Sequence, residues 1–434
     1  MSRKLHLSII IIAILGLTLS VSAETYTLEK CIETALENNY GVIAAKNNYN
    51  ATRWQLNSAY GRILPSISIS TGENQSWSAS QGLDANNNPI IYTGKVTSRS
   101  GSISIGQTYS GLGLGTYANI LSNQAQRKSE YYNLLSTTNE LVYTIKQSYF
   151  NIVKTKMLVD LSKDAVKRGE EQLKIAQSRY DLGSASLSDV LKAKVLRSNA
   201  KLELITAENS FSLAKADLNY KMGIDVGNEF GVVEDFPQEK SGFTYDEAYN
   251  IALSNNPSYR KANYDFSSTK AGLLAYKANF LPSFYFNVSH STTPDDFGNM
   301  LDFKMKDASY SVRFGLSYSL FNNFSDYASV QTYRKTVDSQ KENLENTRNY
   351  VALEVKQAFL DIQQNVEKLK VNEESVAAAQ EDLNIVREKY NLGAATIIEV
   401  LDAEVSFKEA QINQVQALFD YNLAISRLEK VMGR

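Results

Sequence analysis

The chain is written twice, and that duplication limits its possible folds more than any other feature. Gln147–Gly223 aligns without a gap onto Gln357–Gly433, an offset of 210 positions, with 21 identities in 77. Upstream, YTLEKCIETALENNY from Tyr26 matches FTYDEAYNIALSNNP from Phe243. Each copy then reaches a Leu-Pro-Ser, at 64–66 and at 281–283. SISIGQTYS from Ser102 matches SVRFGLSYS from Ser311. A period this long excludes a solenoid of short repeats. It leaves two copies of one unit: a first repeat over 24–223, a linker over 224–242 and a second repeat over 243–434.

Each unit reads helix, hairpin, long helix, turn, helix. The six prolines lie at 65, 89, 237, 257, 282 and 294, and none falls in 90–236 or 295–434. An interior proline costs a helix about 3 kcal/mol, so these are the stretches where long helices fit. The spacing predicts helices over about 39–63, 117–181 and 187–222 in the first copy, and about 256–280, 327–391 and 397–432 in the second. Apolar residues recur at three-four spacing through Leu344, Val351, Val355, Ala358, Ile362, Leu383, Val386 and Tyr390. Leu134, Leu141, Ile145, Ile152, Val159, Leu173, Ala176 and Tyr180 take the matching places in the first copy. Such a seam, sustained beyond three heptads, indicates a coiled coil. A helix from Tyr117 to Asp181 is about 95–100 Å long at 1.5 Å per residue. Helices of that length build a rod or a tube.

Between each Leu-Pro-Ser and its long helix the period falls to two. Ile67 and Ile69 alternate with Ser66, Ser68 and Ser70, and Phe284, Phe286 and Val288 with Tyr285, Asn287 and Ser289. Tyr310, Val312, Phe314 and Leu316 alternate with Ser311, Arg313, Gly315 and Ser317. Four strands follow, over about 66–80, 96–110, 283–291 and 309–321, with polar loops at about Gln81–Arg99 and Ser291–Asp307. About ten residues is the length a tilted strand needs to cross a bilayer. Four strands cannot close a barrel, and open edges do not survive in lipid. Two small soluble hairpins packed on a helix are the other reading of the same pattern.

Composition narrows the chemistry. Basic and acidic residues nearly balance, 45 against 47, with no charged block to engage nucleic acid. Residues 1–23 read as a signal peptide: Arg3 and Lys4, an apolar run from Leu7 to Leu19, then Val21-Ser22-Ala23. No other stretch holds 18 consecutive apolar residues, which leaves only a β-barrel as a membrane fold. Beyond the signal there is one histidine, His290, and one cysteine, Cys31. No metal cluster, catalytic dyad or cofactor site can be assembled from them. Gly111, Gly113 and Gly115 lack the strand-turn-helix context of a dinucleotide site and read as the bend from strand to long helix. Nothing points to an enzyme.

The two helix breaks are the sharpest local motif. RYDLGSASLSDVL from Arg179 returns as KYNLGAATIIEVL from Lys389. Gly183 and Gly393 suit the left-handed position just past a helix end. Ser186-x-x-Asp189 and Thr396-x-x-Glu399 read as capping boxes that restart the next helix.

The duplicated unit, the Leu-Pro-Ser before each hairpin and the paired Tyr-x-x-Gly turns together resemble the TolC family of outer-membrane efflux proteins, over essentially the whole chain after residue 23. The resemblance implies a fold that is mixed but mainly α. Three chains would form a homotrimer, with twelve long helices as a periplasmic α-barrel and twelve strands as a β-barrel in outer-membrane lipid. Thr27–Asn39, Ile224–Ser241 and Thr244–Asn256 would form an equatorial band. Family members are passive exit ducts for drug efflux or type I secretion. They dock onto a periplasmic adaptor (membrane fusion) protein and an inner-membrane pump of RND or ABC type. The resemblance makes Leu182, Gly183, Ser184, Ala185, Leu392, Gly393, Ala394 and Ala395 an adaptor-docking tip. It makes Asp189, Tyr390, Glu399 and Asp402 a periplasmic gate, although the arginine of the family's latch falls on Ala395. Asp189 and Glu399 keep their purely local reading as caps. A periplasmic coiled-coil adaptor is the alternative function, and a structural surface protein a third.

Overall fold

A computed structural model describes residues 25–232, 236, 242–294 and 308–434. The signal segment, most of the 224–242 linker and the loop of the second hairpin lie outside the described residues.

In chain order the elements are β1 (Thr25–Tyr26), α1 (Leu28–Asn38), α2 (Tyr40–Gly61), β2 (Ser66–Leu83), β3 (Pro89–Tyr109), α3 (Leu114–Asp181) and α4 (Leu187–Met222). The second half runs β4 (Gly231–Val232), α5 (Tyr245–Asn255), α6 (Pro257–Ala278), β5 (Ser283–Thr292), β6 (Ala308–Ser317), α7 (Ser325–Asn391) and α8 (Ile397–Met432). With 68 residues, α3 is about 100 Å long. No described helix is long and apolar enough to cross a membrane. The contacts divide the chain into two compact units.

One unit holds Met1–Ala35, Thr144–Gln238 and Lys368–Asn422. Its core is two antiparallel helical pairs. Ala176 of α3 packs on Val190 and Ala193 of α4, with Leu173 beside them. Leu383 of α7 packs on Ala403 and Phe407 of α8, flanked by Val376, Ala379 and Val386. These are seam positions, and alanine at several of them lets the backbones approach. β1 pairs with β4 in parallel, Thr25 opposite Gly231.

The other unit holds Leu36–Tyr143, Glu239–Glu367 and Leu423–Arg434. Here α5 starts at a Thr244–Glu247 capping box. Its successor α6 starts at Asn256 with Pro257 at its first position, where the missing N–H costs nothing. The Asn256 side chain also donates to the Val431 carbonyl at 2.9 Å, tying the end of α8 to this turn.

The same unit carries an antiparallel sheet in the order β2-β3-β5-β6. Register follows the period-two pattern: Ile69 faces Ile103, Ile103 faces His290, and His290 faces Tyr310. The first hairpin differs from the expected loop over Gln81–Arg99. Its strands continue almost to the tip, and only Asp84–Asn88 turns. The cause is local. Asp84 Oδ1 accepts from the amides of Asn86 and Asn88, both at 2.8 Å, and Asn87 takes φ +65°. That tight turn keeps β-branched and aromatic residues 90–97 paired. β6 stops at Ser317 rather than near 321, and the chain enters α7 through Asn323 and Phe324, both at positive φ. Gly111 and Leu112 make the matching bend in the first copy. A Cβ on Gly111 would lie 2.3 Å from the Ala278 carbonyl oxygen, so only glycine fits there.

Candidate functional site

Two features stand out: the paired turns after α3 and α7, and the two-faced sheet. Both turns are built by the same hydrogen bonds. Gly183 has φ +74° and Gly393 φ +79°. Ser184 N–H bonds back to the Arg179 carbonyl at 2.8 Å and Gly183 N–H to Tyr180 at 2.9 Å. Ala394 to Lys389 at 2.8 Å and Gly393 to Tyr390 at 3.0 Å repeat the pattern. This is the Schellman arrangement, which satisfies carbonyls left over at a helix end. The next helix then starts on a capping box. Asp189 N–H donates to Ser186 Oγ at 3.2 Å while Asp189 Oδ2 accepts from Ser186 N–H at 3.0 Å. Glu399 N–H donates to Thr396 Oγ1 at 3.3 Å, and Glu399 Oε1 accepts from the Thr396 amide and hydroxyl at 3.1 and 2.8 Å. Those Thr396 bonds hold the Glu399 carboxyl below the usual carboxylate range.

The surroundings of the turns differ. Tyr180 is 41% exposed, whereas its repeat partner Tyr390 is 4% exposed, packed with Ile397 and Val400 and flanked by Ile175 and Ala395. The Arg179 guanidinium lies over the Tyr390 ring, 4.8 Å from its centroid, and donates to the Tyr390 carbonyl. Burial pushes the Tyr390 hydroxyl above its ordinary pKa; the Arg179 charge opposes this and the Asp189 charge adds to it. The hydroxyl itself has no hydrogen-bond partner among the described residues. Within the chain the Asp189 carboxylate caps Ser186, and no hydrogen bond joins it to the Tyr390 hydroxyl.

The remaining predicted residues fall in two groups. Leu182 and Leu392 are the most solvent-exposed apolar side chains of the turns, at 82% and 85%. Ala395 is half-buried against the Tyr390 cluster. The Asp402 carboxylate is exposed, and its backbone carbonyl accepts from Ser406. Deeper in this unit, Glu404 is buried between Arg168, at 3.1 Å, and Arg387. Sequence reasoning missed both Arg179 and this triad, whose partners lie 211 and 236 positions apart.

The sheet separates chemistry by face. Ile67, Ile69, Ile103, Ile105, Val288, Val312, Phe314 and Leu316 share one side, and Phe314 is 75% exposed. The opposite side is lined with hydroxyls that bond across strands: Ser68 to Ser104 at 2.8 Å, Ser70 to Ser102 at 2.7 Å, Ser289 to Ser311 at 2.7 Å. β2 and β6 are the outer strands, each with one open edge. An apolar band this exposed is at home in hydrocarbon and costly in water. Among the described residues no group of three or more His, Cys, Asp or Glu is placed to hold a metal ion.

A family model for outer membrane efflux proteins matches residues 31–223 and 248–434. The chain is 22% identical to the outer membrane efflux protein BepC of Brucella suis, covering 74% of this chain and 69% of that protein. It is 20% identical to the outer membrane protein TolC of Vibrio cholerae, covering 99% and 95%. Among solved structures it superposes on the CmeC outer membrane channel of Campylobacter jejuni with a TM-score of 0.80 at 15% identity, over 94% of this chain and 85% of that one.

Proposed function

Because the chain belongs to the family of outer membrane efflux proteins, we propose that it acts as a homotrimeric exit duct, docked to a periplasmic adaptor and an inner-membrane pump of RND or ABC type. The observation that carries this reading is the sheet, with its exposed apolar face, its hydroxyl face and its two open edges. Joining β6 of one copy to β2 of the next, three times, removes every edge and gives twelve strands, apolar outward to lipid and polar inward to water. The duct is passive in this reading, and the pump supplies the energy.

The turns give the duct its partner surface. Leu182 and Leu392 protrude beside Gly183, Ser184, Ala185, Gly393, Ala394 and Ala395, whose small side chains allow an adaptor helix to approach closely. Asp189, Tyr390, Glu399 and Asp402 form the periplasmic gate in this reading. Glu399 and Asp402 from three copies gather negative charge at the entrance, and the caps hold the backbone that carries them.

Fractionation of cells tests the reading. The protein is expected in the outer membrane as a trimer that resists SDS until heated, and its loss should sensitise cells to a substrate of the partner pump. A soluble periplasmic monomer contradicts it.

A further inference from the structure

A cavity of about 1150 Å³ opens on the hydroxyl side of the sheet, where the strands meet the helix ends. Ser66, Gly106 and Asn287 of the sheet, Arg62 after α2, and Thr116 and Asn119 of α3 contribute to its wall. No carboxylate lines it. The Arg62 side chain has no ion-pair partner among the described residues.

The sheet adds one further charge to this side. Arg313 of β6 pairs in register with Asn287, and strand alternation puts it on the serine-bearing face. Of the described strand residues on that face, Arg313 alone is charged; Glu73, Arg99 and Lys95 all belong to the apolar face, where Glu73 opposes Arg99 and Lys95 opposes Trp77. The other described strand residues on that face are neutral; near the cavity, the Asp326 carboxylate accepts from Asn279 of the wall at 3.4 Å. The sign of the field there is thus set by two guanidiniums, one on β6 and one preceding β2. These outer strands lie three spacings, about 14 Å, apart.

We propose that Arg62 and Arg313 make the barrel section of the lumen anion-attracting, opposite in sign to the acidic entrance, so that this section favours solutes carrying carboxylate or phosphate groups over cations. The inference rests on the exit-duct reading. In a closed trimer three copies of each arginine face the lumen, with no acid among the described strand residues of that face to offset them. Low-dielectric walls focus such a field on the passage. Guanidinium donors also match the oxygens of carboxylates and phosphates. The attraction reaches about 8 Å at physiological salt and about 30 Å at 0.01 M.

Purified trimers in planar bilayers under a tenfold KCl gradient test this through the reversal potential. The double variant Arg62→Gln, Arg313→Gln should lower the chloride-to-potassium permeability ratio by about twofold or more at low salt, and by less in 1 M KCl. The Arg62→Lys, Arg313→Lys variant should keep the wild-type ratio, because it keeps the charge. Conducting trimers whose ratio is unchanged in the glutamine variant overturn the inference. A soluble monomer in place of a membrane trimer overturns the exit-duct reading itself, and this inference with it.

Discussion

The two turns use one backbone design in two environments. Both end a helix with a left-handed glycine and restart it with a capping box. Yet the tyrosine three residues before the glycine is exposed in the first turn and buried beneath Arg179 in the second. Local hydrogen bonding is what the two turns share. What diverged is the neighbourhood: the first turn supplies a cation, and the second supplies the ring and carbonyl that receive it. The comparison shows that two turns can hold one shape through residues that serve only themselves, while neighbouring side chains take up unequal duties.

The largest expected effect should not tell the turns apart. Gly183→Val and Gly393→Val each force a β-branched residue into the left-handed region, at a cost of about 2 kcal/mol. A Cβ at Gly183 meets open space and one at Gly393 lies 3.6 Å from the Arg179 guanidinium, so neither is blocked sterically. Both variants should lower the thermal midpoint of detergent-solubilised trimers equally and impair export. Unequal losses would show that the turns are not locally equivalent.

The next effect should separate them. Arg179→Ala removes a cation–π contact and a charge-assisted hydrogen bond to the carbonyl of buried Tyr390, about 1–2 kcal/mol together. Lys389→Ala, at the matching position, should change the midpoint little. Equal effects would mean that the Arg179–Tyr390 contact contributes nothing beyond a surface charge. Smaller again are the caps: Ser186→Ala and Thr396→Ala should each cost about 1 kcal/mol, visible as faster amide exchange in the first turns of α4 and α8. The smallest is pH-dependent. Because the folded Glu399 carboxyl lies below its ordinary value of 4.5, its stabilising bonds are fully present above that value. They are lost as pH falls through the folded pKa. The stability difference between wild type and Glu399→Gln should shrink on acidification over that window and stay constant above pH 6.

What could be read from the sequence follows from range. The breaks at Gly183 and Gly393, the capping pairs and the alternation of Ile67 and Ile69 with serines all depend on residues within four positions of one another, and periodicity reports such relations directly. The extra length of the first hairpin was missed because a polar run such as LDANNNP looks like a long loop until Asp84 is seen to close it into a tight turn. Arg179 over Tyr390 and Arg168 against Glu404 join residues 211 and 236 positions apart. Nothing in local spacing announces them, since an arginine facing solvent and one facing a partner helix occupy the same kind of position.

The central claim is that the sheet stands in a membrane with its isoleucine and phenylalanine face to lipid and its serine face to water. Single bimane labels at Ile67 and Phe314, and at Ser68 and Ser311, in reconstituted trimers measure this directly. Spin-labelled lipid chains are expected to quench the first pair and aqueous iodide the second. Quenching of all four positions by iodide and none by lipid would contradict the account.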